Sequence, residues 1–254
     1  MRILVTNDDG INADGLKVLQ NIAHAISDDV WTVAPESEQS GAGHSLTLHV
    51  PVRVRKVAEK TFAVSGTPTD CVLLALKEII PQSEKPVSLV LSGVNRGSNA
   101  GDDVTYSGTV AGAMEGAMLG VPSVALSQSY DDPESIHWKT AEAHAPALIK
   151  KLVAACWPQN TFINLNFPDC APEAVQGARL CPMGKRLMNI KLSERVDPKG
   201  RPYYWLGGER DNTADREGVD LFYLPQNIIS ITPLCLDLTD YRTLESLRLA
   251  VAND

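Results

Sequence analysis

Four short runs constrain what this chain can fold into more than anything else in it: RILVT, VWTVA, VSLVLSG and PSVALS. They are apolar without the alternation of a half-solvated strand, the pattern of strands covered on both faces. Between the first two, DGLKVLQNIAHAIS puts Leu16, Leu19, Ile22, Ala23 and Ile26 on one helical face. Buried strand, helix, buried strand implies a right-handed crossover and a parallel sheet. PTDCVLLALKEII reads as a second helix, capped by Thr69 or Asp70. TVAGAMEGAML is a helix of small residues suited to close packing on a sheet. ESIHWKTAEAHAPALIKKLVAA is a long helix despite Pro146, and TFINLNF a further strand.

Past about residue 170 the pattern changes. KLSERVDPKGRPYYWLGGE has the turn and aromatic strands of a hairpin, which Tyr203, Tyr204 and Trp205 are expected to pack. NIISITPLCLDL reads as another strand and YRTLESLRLAV as a closing helix. The expectation is an α/β fold in a single domain, residues 1–254, with no internal repeat. Its core runs to about residue 170, and an extension, about 171–254, carries the antiparallel strands. A chain of 254 residues is long enough to bury such a core.

Charge and cysteine usage exclude some functions. With 23 basic against 31 acidic side chains the net charge is -8, so no nucleic-acid polymer is expected as a partner. A small phosphorylated ligand needs only one local pocket and stays open. Cys71, Cys156, Cys170, Cys181 and Cys235 form no CxxC pair and are odd in number. They read as reduced, structural thiols of a cytoplasmic protein rather than a zinc site or a thiolate nucleophile. Carboxylates stand already at position 8, so no secretory leader is expected. The most membrane-like stretch, TVAGAMEGAMLGVPSVALS, is broken by Glu115, glycines and a proline, so no membrane span is expected.

The chemistry lies in the loops. Open parallel sheets collect ligands outside the carboxyl ends of their strands. Asp8 and Asp9 follow the first strand, Ser40 and Gly41 the second, and Asn95 the run VSLVLSG, while Ser107, Gly108 and Thr109 open a helix. Two adjacent carboxylates, a hydroxyl and an amide oxygen are hard donors suited to Mg²⁺ or Mn²⁺. Such a cation turns the repulsion between Asp8 and Asp9 into shared attraction. YSGT at a helix start offers free backbone N–H groups to an anion. Each fragment alone also has a plainer reading: NDDG as a turn with a cap, SGAGHS as a flexible loop, SGT as an N-cap. His44 is either a general acid or a loop-stabilising residue, and His24, His137 and His144 read as surface residues. Asp102 and Asp103 are expected to hold the glycine-containing loop and YSGT in place.

Taken together, ILVTNDDG, VAPESEQSGAGHSLTL, GTPTDCV, LVLSGVNRGSNAGDDVTYSGTVAGAMEG and ISITPL resemble the survival protein SurE family of metal-dependent nucleotidases. The segments stand in the family's order across nearly the whole chain, most weakly over residues 130 to 200. The resemblance implies a Rossmann-like, mostly parallel sheet in a three-layer sandwich. It implies hydrolysis of nucleoside 5′- and 3′-monophosphates, in some members with exopolyphosphatase activity on short polyphosphate. It further implies one divalent cation per subunit, Mg²⁺ or Mn²⁺, held by Asp8, Asp9, Ser40 and Asn95. Asn99 and the YSGT residues match the family's phosphate side, and the C-terminal extension implies a homodimer or homotetramer.

The mechanism expected from this set is direct attack of water on a phosphomonoester. Ser107, Gly108 and Thr109 hold phosphoryl oxygens, Asn99 and the Gly41 amide donate further, and Asp8 or Asp9 takes a proton. Three rivals remain. An aspartyl-nucleophile phosphatase spaces its acids two apart, whereas Gly10 fills that position here. A receiver-like signalling module needs an acceptor aspartate after its third strand, where this chain has Ser92 and Asn95. A dinucleotide-binding dehydrogenase needs GxGxxG in place of NDDGINADG.

Overall fold

The computed structural model describes residues 1–186, 188–210 and 214–251. Residues 187, 211–213 and 252–254, which the single-domain expectation includes, lie outside the described residues. In chain order the elements are β1 (Arg2–Thr6), α1 (Asp14–His24), β2 (Asp29–Pro35), β3 (Val54–Ala58), β4 (Thr61–Val64) and α2 (Pro68–Leu74). Next come β5 (Leu89–Arg96), α3 (Gly108–Met118), β6 (Ser123–Gln128), α4 (Trp138–Ala155) and β7 (Thr161–Phe167). The last are β8 (Ala178–Leu180), β9 (Met188–Val196), β10 (Pro202–Arg210), α5 (Asp220–Tyr223), β11 (Ile229–Cys235) and α6 (Tyr241–Val251).

The four apolar runs form the centre of one sheet, ordered β3-β4-β2-β1-β5-β6-β7-β11-β8. From β4 through β7 every neighbouring pair is parallel. The missing alternation has its cause in two covered faces. Ile3 and Val5 of β1 pack with Leu16 and Leu19 of α1 and Ala145 and Ile149 of α4. Leu4 points the other way, onto Cys71 and Val72 of α2. With α3 beside α2 this makes three layers.

Small residues bring α3 close to the sheet, as expected. A β-carbon on Gly112 would stand 2.6 Å from Ser92 Oγ, and one on Gly116 2.3 Å from Ser123 Oγ. Helix α2 corrects the expected cap. Its N-cap is Thr67, not Thr69 or Asp70, and Asp70 closes a capping box from the third helical position. The segment LTLHVPVR before β3 is not strand, and β3 itself is exposed throughout. Helix α4 runs through Pro146.

The hairpin forms as expected, β9 antiparallel to β10 in a sheet of their own. Tyr203 and Trp205 meet edge to face at 6.4 Å, yet Leu192, Trp205 and Leu206 remain exposed. The main sheet itself takes in chain beyond residue 170, because β11 pairs antiparallel with β7 and parallel with β8. Among the described residues no helix is long and apolar enough to cross a membrane. All five cysteines are free.

Candidate active site

Strand order fixes where the loops converge. From β1 the chain moves outward on one side through β2 and β4, then resumes on the other side at β5. The crevice between β1 and β5 is thus a topological switch point, where ligands of open α/β sheets bind. Asp8 and Asp9 stand just past β1, and Asn95 is the second-last residue of β5.

Three contacts draw the loops together. The Gln39 N–H donates to the Asp8 carbonyl at 2.8 Å, which brings the loop after β2 onto the loop after β1. The Arg96 N–H donates to Asp9 Oδ2 at 3.3 Å, tying in the end of β5. The Thr109 hydroxyl donates to Asp8 Oδ1, and Gly108 lies so close that a β-carbon there would sit 2.7 Å from Asp8 Cβ. Glycine at 108 is therefore a steric requirement of the contact. Ser107 caps α3 by accepting the Val110 N–H at 3.1 Å.

The remaining expected residues are less engaged. Ser40 adjoins the Gln39–Asp8 contact, but its hydroxyl donates to Glu38 Oε1 at 2.8 Å. Asn95 spends its amide nitrogen on the Gly97 carbonyl at 2.7 Å, and its Oδ1 accepts no hydrogen bond among the described residues. Gly41 has a left-handed backbone, φ +76°, with open space around it, and no described contact joins it to the acid pair. Asn99 is buried: its N–H donates to Asn166 Oδ1 at 2.8 Å and its Nδ2 to Ser127 at 2.9 Å. One amide hydrogen of that Nδ2 is thus already in use.

Electrostatically the pair is an open account. Asp8 is buried and Asp9 half-buried; the Thr109 hydroxyl and nearby backbone N–H groups face Asp8, and the Arg96 N–H faces Asp9. Burial pushes the Asp8 carboxyl up to about 6 against the pull of Thr109, and the Asp9 charge adds to the rise. Asp9 is also raised, by burial first and by the nearby Glu38 charge, with the Arg96 N–H acting against it. A buried, uncompensated carboxylate pair fits a divalent cation. Among the described residues no three His, Cys, Asp or Glu side chains are grouped to hold a metal. A cation at Asp8 and Asp9 therefore needs neutral oxygen donors such as Ser40 and Asn95, a set for hard ions.

His44 does not face the acid pair. Its Nε2 lies 2.9 Å from Oε2 of the buried Glu115 on α3. Asp102 and Asp103 hold their loop as expected: Asp102 accepts the Arg186 N–H at 3.1 Å, Asp103 pairs with Arg186 Nε at 3.2 Å, and its carbonyl accepts the Ser107 N–H at 3.1 Å. His24 and His137 are surface residues, while His144 is half-buried on the Pro172 carbonyl. Sequence reasoning missed Glu115 and Arg186. Glu115 carried a visible signal, a lone charge in a run of small apolar residues. Arg186 carried none, since nothing local links it to a loop 84 residues earlier.

The family model described as Survival protein SurE matches residues 3–190. The 5'-nucleotidase SurE of Parvibaculum lavamentivorans is 52% identical over 97% of this chain and 90% of its own. That of Methylocella silvestris is 52% identical over 96% of this chain and 97% of its own. The crystal structure of the SurE protein from Aquifex aeolicus has a TM-score of 0.85 and 37% identity, covering 98% of this chain and 99% of that one.

Proposed function

This chain belongs to the survival protein SurE family, and from that premise we propose how it acts as a nucleoside 5′-monophosphate phosphatase. The observation that carries the reading is the Asp8–Thr109 hydrogen bond, with Gly108 packed on Asp8. It puts a buried, unneutralised carboxylate against the open N-terminus of α3, so cation and phosphate sites share one wall. Asp8, Asp9, Ser40 and Asn95 hold one Mg²⁺ or Mn²⁺. When bound, that cation neutralises the acid pair and supplies Lewis acidity toward a phosphoryl oxygen.

The rest is positioning by this chain. The backbone N–H groups of Gly108 and Thr109 and the Ser107 hydroxyl bind phosphoryl oxygens and orient the ester for in-line attack. The second Nδ2 hydrogen of Asn99 and the Gly41 N–H add donors. Asp9 takes the proton of the attacking water. It is more accessible than Asp8, and its Oδ2 accepts the Arg96 N–H. Nucleoside 3′-monophosphates and short polyphosphate present the same terminal phosphoryl group and are further substrates. Free thiols suit a cytoplasmic location. Exposed Leu192, Trp205 and Leu206 on the hairpin, and Leu244 and Leu247 on α6, support a homodimer or homotetramer through the extension.

The test is phosphate release from nucleoside monophosphates with Mn²⁺ or Mg²⁺, then after exhaustive chelation. Turnover is expected only with the cation, and activity that survives chelation overturns the cation assignment.

A further inference from the structure

The phosphate side of the site hangs on one stretch of chain. Asn99, Ser107, Gly108 and Thr109 all lie between the end of β5 and the first turn of α3, with a 3₁₀ turn, Gly101–Thr105, among them. The Asp103 carbonyl accepts the Tyr106 N–H at 3.0 Å and the Ser107 N–H at 3.1 Å, so the start of α3 stands where Asp103 puts it. The Tyr106 carbonyl in turn accepts the Gly43 N–H at 3.1 Å, which ties the loop of Ser40 and Gly41 to the same turn.

The extension braces this turn. Arg186, whose side chain is 1% exposed, places Nε 3.2 Å from Asp103 Oδ2. Its Nη2 donates to Ser98 Oγ at 3.4 Å, and its backbone N–H to Asp102 Oδ2 at 3.1 Å. One side chain thus reaches the stretch at two points, beside Asn99 and at the turn that leads into Ser107. Asp220 joins the same two segments, accepting the Gly101 N–H at 2.9 Å and the Gly184 N–H at 2.8 Å. A buried ion pair adds little net stability, because desolvation offsets the attraction. What a planar guanidinium supplies is a fixed geometry. It also neutralises a carboxylate that would otherwise oppose an anion at the α3 N-terminus.

We propose that Arg186 is a positioning residue for phosphate binding: through Ser98 and Asp103 it holds Asn99 and the α3 N-terminus at the spacing at which their N–H groups meet one phosphoryl group. The proposal rests on the nucleotidase reading and deepens it. The cation ligands hang on β1, β2 and β5, the phosphate donors on a turn braced from the extension, and the two halves respond to different substitutions.

Arg186→Ala would strand a buried carboxylate and endanger the fold. The test therefore uses Arg186→Lys, which keeps the charge and loses the fork to Ser98, and Asp103→Asn. Binding of inorganic phosphate to the Mn²⁺-loaded protein, read by calorimetry and as inhibition of turnover, is expected to weaken roughly 10-fold in each, the effect of slightly misplaced donors. Binding of Mn²⁺ alone to the substrate-free protein is expected to stay within about 2-fold. Because the two residues act as one unit, the double variant should bind phosphate about as weakly as either single variant. A merely structural pair would lower the thermal midpoint and leave the folded protein's phosphate affinity alone. Unchanged phosphate affinity in either variant overturns the proposal, as does a loss of Mn²⁺ affinity as large as the loss of phosphate affinity. Full additivity in the double variant overturns the route through Asp103. Should the protein release phosphate from no nucleoside monophosphate, the nucleotidase reading fails by itself. The calorimetric titration then still reads the brace: phosphate binding that weakens in both variants supports it, and no binding to the wild type removes it.

Discussion

At the start of β1 and β2 one carboxylate is gripped by three cations, while at the far end of β1 two carboxylates form no ion pair among the described residues. Asp29 receives Arg2 Nε at 3.0 Å, Lys60 at 3.0 Å and Lys85 at 3.1 Å, and Arg2 and Lys60 also lie over Trp31. Burial alone would lift its carboxyl, but the hydrogen bonds from Lys60, Lys85 and Arg2 outweigh it and hold the group well below the usual range. Asp8 and Asp9 meet the Thr109 hydroxyl and backbone N–H groups, and burial outweighs these and leaves both raised. A sheet held together by its own charges neutralises them internally. Charges left raised and unpaired in a crevice are kept for something that arrives.

The difference is broken most decisively at Asp9. Asp9→Asn is expected to cut phosphate release from nucleoside monophosphates about 10³-fold, a typical loss for a charge aimed at the transition state. Its thermal midpoint in chelator should be unchanged or higher, because the repulsion with Asp8 is gone. A variant that keeps wild-type turnover takes Asp9 out of the chemistry and makes the two ends of β1 equivalent.

Next in size is the pH dependence of the chelated protein. The folded-state pKa of Asp8, about 6, is raised, so the native state holds a proton that the unfolded state releases. Its contribution is greatest below about pH 4, the unfolded value, and is lost as pH rises through about 6. Two units correspond to at most about 3 kcal/mol. Denaturant midpoints in chelator should therefore fall between pH 4 and 7, and Asp8→Asn should flatten that fall. An equally steep fall in Asp8→Asn would place its origin elsewhere.

Adding the cation should reverse the penalty. Mn²⁺ at 100 times its dissociation constant stabilises the native state by about 2.7 kcal/mol. For a chain of this size that is a rise of roughly 5–10 °C in midpoint. The rise should appear in wild type and vanish in Asp9→Asn. A rise of equal size in Asp9→Asn would locate the cation away from the acid pair.

How much of this contrast the residues announce beforehand depends on how local its causes are. The buried strands are legible because covering both faces forces an unbroken apolar run, as Ile3, Leu4 and Val5 show. NDDG and YSGT are legible because an acid pair and a small-residue helix start are local chemistry. What joins them is not. The Asp8–Thr109 bond spans 101 positions and the Arg96–Asp9 bond 87, set by strand order rather than by spacing. The Asp29 knot is invisible for the same reason, since Arg2, Lys60 and Lys85 look like ordinary surface charges. The Thr67 cap was missed because Thr69 and Asp70 have the same chemistry two and three residues on, and only the backbone turn selects among them.

The smallest expected effect lies at the closed end. Asp29→Asn removes the one charge shared by Arg2, Lys60 and Lys85 and leaves a mostly buried guanidinium without its carboxylate. Breaking a fully buried pair costs about 3–5 kcal/mol, but both lysines are more than a third exposed and can turn to water, so about 2 kcal/mol is expected. Because the Asp29 pKa is lowered, this stability is present above about pH 4 and is lost as pH falls through the folded value. The gap between wild type and variant should thus be widest near neutral pH and narrow on acidification, opposite in sign to Asp8. Turnover per folded molecule and the Mn²⁺ response should both survive, because nothing at that end of β1 touches the crevice. If Asp29→Asn instead removes the Mn²⁺ response while the protein stays folded, the two ends are coupled, and the separation of structural from functional charge does not hold in this sheet.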